Sequence, residues 1–491
     1  MKAALAGQHR AQASVPHTAI AVLAWVAALA TPAALLLHHG LAAIDPDLGW
    51  HLQTANWIVQ HHAVPHSDPF SYTRAGAPWA AYSWGFELVL SGFYRMAELR
   101  GVVLYTVVMS VAISWALLRM LSRYVSPLSA AALTGLGWFL TYPLLWPRPG
   151  LFTVLFFLLQ LDYLLRVRLD HDPANGWWLP GLYVLWANLH IQFIYGLFTL
   201  GVAAAEPWIQ KLLRQPVSAD AWRVSRTLWK LLGASFLATL VNPYFFGIYT
   251  VVWQYATQTK AFDYIIELQA LDFRRVKDYV ELFLAMAVAL TLGYRRQFRP
   301  LFVILFVSFT VAAFRAERDA WFLVTVGLAI LAILVGEQRS RPAPHWFKAI
   351  AVVGTALVVA ASAAFSDAYD ENRLRTQSDQ VFPARACEFL QARHFSGPLF
   401  SALDWGGYLI WKLPQMQVAI DGRTNLYGDE LLSSMADTWD GKPAWLANQQ
   451  LAEARVILAS KADPLTSILS NLPKYEIVYE DDLSIILQVK E

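Results

Sequence analysis

The stretch IDPDLGWHLQ, residues 44–53, places two carboxylates, a tryptophan and a histidine within seven positions. Residues of these types at this spacing suit two kinds of chemistry. An ionised aspartate beside a bound alcohol can accept the hydroxyl proton as a general base. Two acids and an imidazole can also hold a divalent cation, although a two-residue acid spacing is not specific for one. Asp45 and Asp47 are therefore candidate catalytic groups, and His51 is a candidate substrate contact. Pro46 suits the first turn of a helix and Asp45 its N-cap. A helix running to Gln60 groups Leu48, Leu52, Ala55 and Val59 on one face and Asp47, His51 and Thr54 on another. The expectation is a helix lying on a membrane surface with its acids and imidazole turned away from the lipid.

What positions this cluster is the apolar segment before it, HTAIAVLAWVAALATPAALLLHH. The chain has 491 residues, 57% hydrophobic and only 15% charged, against about 25% charged in soluble domains. Long apolar runs recur, so the composition is that of an integral membrane protein. Many of the 21 tryptophans sit near the ends of those runs, as interfacial belts do. A net charge of +2 gives no reason to expect nucleic acid, and a single cysteine, Cys387, excludes an intramolecular disulfide. Cys387 reads as a buried helix residue. The first apolar run is too long for a signal-peptide core and reads as a retained span.

Roughly eleven spans can be drawn, near 18–38, 101–121, 128–145, 150–167, 177–190, 191–209, 228–242, 276–294, 299–315, 318–336 and 346–365. The pair meeting at WANLHIQF reads as two spans or as one broken helix. Lys and Arg concentrate in alternate connections (MKAALAGQHR, RMLSRYV, RVRLDHD, KLLRQPVSADAWRVSRTLWK, YRRQFRP and EQRSRP), which places the N-terminus inside and the C-terminus outside. This scheme requires residues 82–97, with Glu87 and Arg95, to lie at the outer interface without crossing. The expected organisation is an all-α polytopic membrane domain over 1–366, with a first outer loop at 39–100 carrying interfacial helices. A polar linker follows at 367–379, then a small extracytoplasmic α/β domain at 380–491. In that domain PLFSALDW, QMQVAID, ARVILAS, YEIVYE and SIILQV are β-rich, and YEIVYEDDLSIILQV reads as a hairpin turning at Asp481-Asp482.

Other polar residues recur at predicted outer ends. Arg148 lies in WPRPG, His190 at the WANLHIQF break, Glu267 in DYIIELQ, and Arg315 and Arg318 in FRAERD. Arginine forms planar, bidentate contacts with phosphate. Arg315 and Arg318, read as one helical turn apart, and Arg148 are thus candidates to hold a phosphate or diphosphate. His190 and Glu267 are candidate substrate contacts, Glu267 as a second, orienting acid. Glu87, Asp404, Asp421 and Arg423 are further candidate sugar contacts, while Gly406-Gly407 and Asp421-Gly422 read as turns. His61, His62 and His66 match no recognised zinc spacing.

A first span followed by an outer loop opening on Asp-x-Asp resembles the GT-C superfamily of integral membrane glycosyltransferases. IDPDLGWHL, VPHSDPFSYT, GAPWAAYSWGFEL, WANLH, NPYFFGIY, DWGGYLIWKLP and AIDGRTNLYGDELL resemble a bacterial branch of it over most of the chain. Gly49 stands where relatives of that branch carry an aromatic. The resemblance implies a polyprenyl-phosphate-linked sugar as donor and an acid of the first outer loop as base. That role maps onto Asp47, or onto Asp45. It leaves open a divalent cation, which some GT-C families bind and others do not. It places the chain in a bacterial cytoplasmic membrane with an extracytoplasmic active face.

The function expected is inverting transfer of a hexosyl or pentosyl unit from that donor to a glycan, lipid or protein acceptor. No nucleotide is expected, since no Gly-rich phosphate loop is present. Two alternatives belong to other classes. A transporter or flippase usually carries internal repeats and midplane ionisable groups, whereas here the polar groups gather at one membrane face. A non-catalytic assembly or sensor protein would use the outer α/β domain as its working part.

Overall fold

The computed structural model describes residues 15–40, 44–170, 175–296, 298–336 and 343–490. The basic segments MKAALAGQHR and EQRSRP fall outside the described residues. Each expected apolar stretch carries a helix. Among the described residues, five are long and apolar enough to cross a membrane: Thr18–His39, Trp84–Leu121, Gly150–Leu169, Glu317–Val335 and His345–Phe365. Around WANLHIQF two helices, Trp178–Leu189 and Phe193–Leu212, meet at a break where His190 is extended.

Three helices frame the opening cluster: α1 (Val15–His39), α2 (Leu48–His61) and α3 (Trp84–Leu121). Helix α3 is interrupted at Ala97 and Glu98, and Glu98 has φ 52°. The chain folds back there so tightly that a Cβ on Gly101 would lie 2.6 Å from the Phe93 carbonyl carbon. The kink thus separates residues 84–96 from the apolar continuation.

Helix α2 differs from the surface helix expected of it. Leu48, Gly49, Trp50, His51, Leu52, Thr54, Ala55 and Ile58 are all buried, so both the apolar and the polar faces are covered. The cause is a second packing partner, the helix Leu403–Lys412 of the C-terminal domain. The two backbones touch through glycines. A Cβ on Gly49 would lie 2.7 Å from the Gly407 carbonyl carbon, and one on Gly407 would lie 3.1 Å from Trp50 Cδ1. Gly406-Gly407 is therefore not a turn: the pair lies inside a helix and permits close approach. An aromatic at position 49 would be excluded by the same contact.

The C-terminal domain is a four-stranded sheet of β1 (Leu399–Ser401), β2 (Val456–Ser460), β3 (Tyr475–Glu480) and β4 (Ser484–Val489). Its order is β1-β2-β4-β3, with β1 and β2 parallel and the rest antiparallel. β3 and β4 form the expected hairpin, where Asp481 Oδ1 accepts from the Leu483 and Ser484 amides. Alternate residues face opposite sides. Leu399, Val456, Leu458 and Ile486 pack toward Trp50, Phe70 and Trp79 of the first loop. Phe400, Ile457, Ile485 and Leu487 pack toward the helix Thr424–Trp439. QMQVAID forms only isolated bridges, Val418 pairing with Leu399 and with Ser71 of the first loop. Residues 367–379 form a 3₁₀ turn and the helix Glu371–Asp379. Cys387 is buried in the helix Ala384–Ala392, and burial pushes its thiol up to about 12.

Candidate active site

The chain leaves α1 and turns at Asp45-Pro46-Asp47. The Asp45 carboxylate is drawn away from the capping role expected of it: Oδ1 accepts from the Asp47 amide at 2.8 Å, and both oxygens bind Arg148. Position 47 becomes the N-cap, without a side-chain cap hydrogen bond. A bidentate guanidinium is the stronger competitor for a carboxylate than a helix amide.

Arg148 is carried by WPRPG, where the chain passes from the 3₁₀ turn Tyr142–Leu144 to the helix Gly150–Asp170. It gathers three acids. Nε and Nη2 hold Asp45 at 2.9 and 3.1 Å, while Nη1 lies 2.8 Å from both Asp47 Oδ2 and Glu267 Oε1. Burial opposes the charge of Arg148, but the carboxylates of Asp45, Asp47 and Glu267 outweigh it, so its pKa lies well above the usual value. The Asp45 side chain is 1% exposed and that of Asp47 16%. Asp47 is thus the acid that a substrate can reach, and Trp50 Nε1 fixes its other oxygen at 3.0 Å.

A cavity of about 500 Å³ opens over this group. Asp47, His51, Arg148, His190, Glu267 and Arg318 all line it, so residues dispersed along the sequence come together. His51 is buried and not displayed at a surface: its ring lies between Trp50 and Phe86, and Nδ1 is 3.5 Å from Glu87 Oε1. Glu87, fully buried, accepts from Ser83 Oγ at 3.0 Å. His190 Nδ1 pairs with Thr153 Oγ1 at 2.8 Å.

Arg315 and Arg318 part company. The helix Pro300–Arg315 ends there because Ala316 is extended, so the one-turn spacing expected between them is broken. Arg315 is exposed, with its guanidinium 4.6 Å from the Phe262 ring centroid. Arg318 turns into the cavity without a side-chain hydrogen bond or ion pair among the described residues, while Glu317 is held by Arg275 and Lys277 at 2.6 and 2.9 Å.

The C-terminal domain forms the opposite wall, through Leu403, Asp404, Gly422, Arg423, Thr424 and Asn425. Gly422 lies against Asp47: a Cβ there would be 2.9 Å from Asp47 Cγ. Arg423 is buried and joins the two regions. It binds Asp421 through Nε at 2.7 Å and Nη2 at 2.6 Å, and Asp68 of the first loop through Nη1 at 2.7 Å. Its guanidinium also lies over the Trp79 ring, 4.5 Å from the centroid. Beside it the segment 70–74 joins the domain edge, with Tyr72 N donating to Val418 O and Thr73 Oγ1 to Ala419 O. Asp421 and Arg423 are therefore structural clasps and not free sugar contacts. Asp68 was not singled out by the sequence and Gly422 was read only as part of a turn; the turn-like settings SDPF and IDGR are the local signal that marks them.

A divalent cation does not fit the three acids as they stand. Asp45, Asp47 and Glu267 each bind the Arg148 guanidinium, which a cation would have to displace. No group of three or more metal-ligating side chains occurs among the described residues.

No known family profile matches the sequence, and no curated protein matches it. Solved structures similar to this chain include the oligosaccharyltransferase of Archaeoglobus fulgidus in its apo form. That match has 11% identity and a TM-score of 0.48, covering 90% of this chain and 69% of the other. The same enzyme in complex with Zn and sulfate has 12% identity and a TM-score of 0.49, with 90% and 67% covered. ArnT from Cupriavidus metallidurans, bound to undecaprenyl phosphate, has 14% identity and a TM-score of 0.46, with 96% of each chain covered. These neighbours are glycosyltransferases of the GT-C superfamily.

Proposed function

We propose that this chain is a membrane glycosyltransferase of the extracytoplasmic face, taking a sugar from a polyprenyl-phosphate donor. One observation carries the reading. The cavity holds an accessible, oriented carboxylate, Asp47, and a separate arginine, Arg318, that feels the charges of Asp319 and Glu267 but makes no side-chain hydrogen bond or ion pair among the described residues. That is a base and an anion receptor in one enclosure, next to helices suited to a bilayer.

Asp47 accepts the proton of the acceptor hydroxyl as its oxygen attacks the anomeric carbon. The bond from that carbon to the phosphate oxygen breaks with inversion, and polyprenyl phosphate leaves with the bonding electrons. Arg318 meets the charge that develops on the phosphate. Arg148 orients Asp47 beside Asp45 and Glu267. With its donors engaged by three acids, Arg148 acts on the base and not on the donor. His190 is a further candidate for contact with the bound sugar, and Arg315 stands aside from this reading.

The test is Asp47→Asn in proteoliposomes with polyprenyl-phosphate sugars. Loss of a positioned general base lowers rate by about 10²–10⁴, at unchanged protein level and unchanged polyprenyl phosphate binding. Transfer at the wild-type rate would remove Asp47 as the base.

A further inference from the structure

The charged side chains lining the cavity are, with two exceptions, already engaged. Asp47, Arg148 and Glu267 bind one another, Glu317 and Arg275 form a pair, Arg423 is clasped by Asp68 and Asp421, and Glu87 accepts from Ser83. Arg318 and Asp404 line the cavity without a hydrogen bond or ion pair among the described residues. They belong to different walls. Arg318 comes from the membrane domain, whereas Asp404 lies in the first turn of the helix Leu403–Lys412. Asp404 has Asp47 as a neighbour and no cation bound to it.

Two engaged groups on the same cavity keep one unsatisfied atom each: His51 Nδ1 and Glu87 Oε1 stand 3.5 Å apart, outside hydrogen-bond geometry. His51, 3% exposed, and Glu87, wholly buried, line the cavity, and neither His51 Nδ1 nor Glu87 Oε2 has a hydrogen bond. A buried polar atom without a partner costs about 1–3 kcal/mol. A ligand that reaches such atoms recovers that cost.

We infer that Asp404, with His51 and Glu87, forms an acceptor subsite for a neutral, hydroxyl-rich sugar ring. A carboxylate only accepts, and each oxygen offers two lone pairs. Neighbouring hydroxyls of one ring can therefore donate to Asp47 and to Asp404 at once. The first of these hydroxyls is the nucleophile and the second fixes its direction. The unmatched negative charge of Asp404 disfavours an anionic acceptor such as a uronate or a phosphorylated sugar. Trp50 and Trp79, which also line the cavity, supply flat apolar faces for the C–H side of a ring. The inference rests on the glycosyltransferase reading for the direction of transfer, and adds the class of acceptor.

The test uses the full chain in detergent and saturation-transfer NMR. The probes are methyl α-D-mannoside, methyl β-D-glucoside, methyl β-D-galactoside and glucuronate, with undecaprenyl phosphate binding measured separately. At least one neutral glycoside should saturate. Asp404→Asn and Asp404→Ala should each weaken it tenfold or more, with undecaprenyl phosphate binding unchanged, which also reports an intact fold. The inference is overturned if no neutral glycoside saturates, if Asp404→Asn binds as wild type, or if glucuronate binds more tightly than every neutral probe. Failure of undecaprenyl phosphate to bind the wild-type chain would count against the donor reading and leave the glycoside readout to decide the acceptor subsite.

Discussion

Gly422→Ala inserts a methyl group between the C-terminal domain and the proposed base. The new Cβ would lie 2.9 Å from Asp47 Cγ and 3.4 Å from Trp50 Nε1. The methyl would overlap Asp47 Oδ1 outright, and since carbon atoms pack at about 3.5–4.0 Å the carboxyl carbon must retreat by at least about 0.6–1.1 Å. It cannot do so freely, since Arg148 Nη1 holds one oxygen at 2.8 Å and Trp50 the other at 3.0 Å. A displacement of about 1 Å in a reacting group costs on the order of 10²-fold in rate. The overpacking itself costs about 1–3 kcal/mol, compatible with a folded protein. The assay is sugar transfer in proteoliposomes, with Gly92→Ala as control because a Cβ at Gly92 meets nothing within 4 Å. Gly422→Ala should lose about 10²-fold in transfer, while the control keeps wild-type turnover. If Gly422→Ala transferred as fast as the control, the position of Asp47 would not govern the reaction.

Further consequences are open to measurement. Arg423→Ala leaves Asp68 and Asp421 buried without their shared cation; breaking such a pair costs about 3–5 kcal/mol, and limited proteolysis should show earlier cleavage in the first outer loop. Gly49→Leu cannot be accommodated against the Gly407 backbone, so the protein should be poorly recovered in detergent, whereas Gly181→Ala, where a Cβ meets nothing within 4 Å, should be recovered normally. Asp404 is exposed, yet desolvation against the cavity wall, then the charge of Asp47, raises its pKa, and Asp463 is the other acid facing it. A raised carboxyl pKa gives stability that is complete below the unfolded value of about 3.9 and is lost as pH rises through the folded value. Asp404→Asn should therefore match wild type in thermal unfolding near pH 3.5 and exceed it at neutral pH, and a constant difference across that range would contradict the assignment.

How far the sequence could be read depends on the range of the forces involved. That Asp47, His51, Arg148, His190, Glu267 and Arg318 line one cavity was foreshadowed because each sits at the polar end of an apolar run, and a bilayer brings such ends to one level. Arg315 was misjudged because helical spacing was carried through Ala316, where the backbone is extended. The Asp45 cap was a correct local rule defeated by a partner 103 residues away. Gly406-Gly407 looked like a turn because glycine marks turns locally; its actual use, a close approach to α2, depends on a helix more than 300 residues earlier in the chain. The clasp of Asp68 to Arg423 has no local pattern beyond turn residues, for the same reason.

That clasp has a bearing on biosynthesis. Asp68 and Arg423 are separated by 355 residues. At about 5–20 residues per second, roughly 20–70 s pass between the emergence of the first partner and of the second. Throughout that interval the wall bearing Gly422 and Asp404 has not yet been made. The nascent chain thus carries an incomplete enclosure, and the cavity closes only when the last segment has been made and docked.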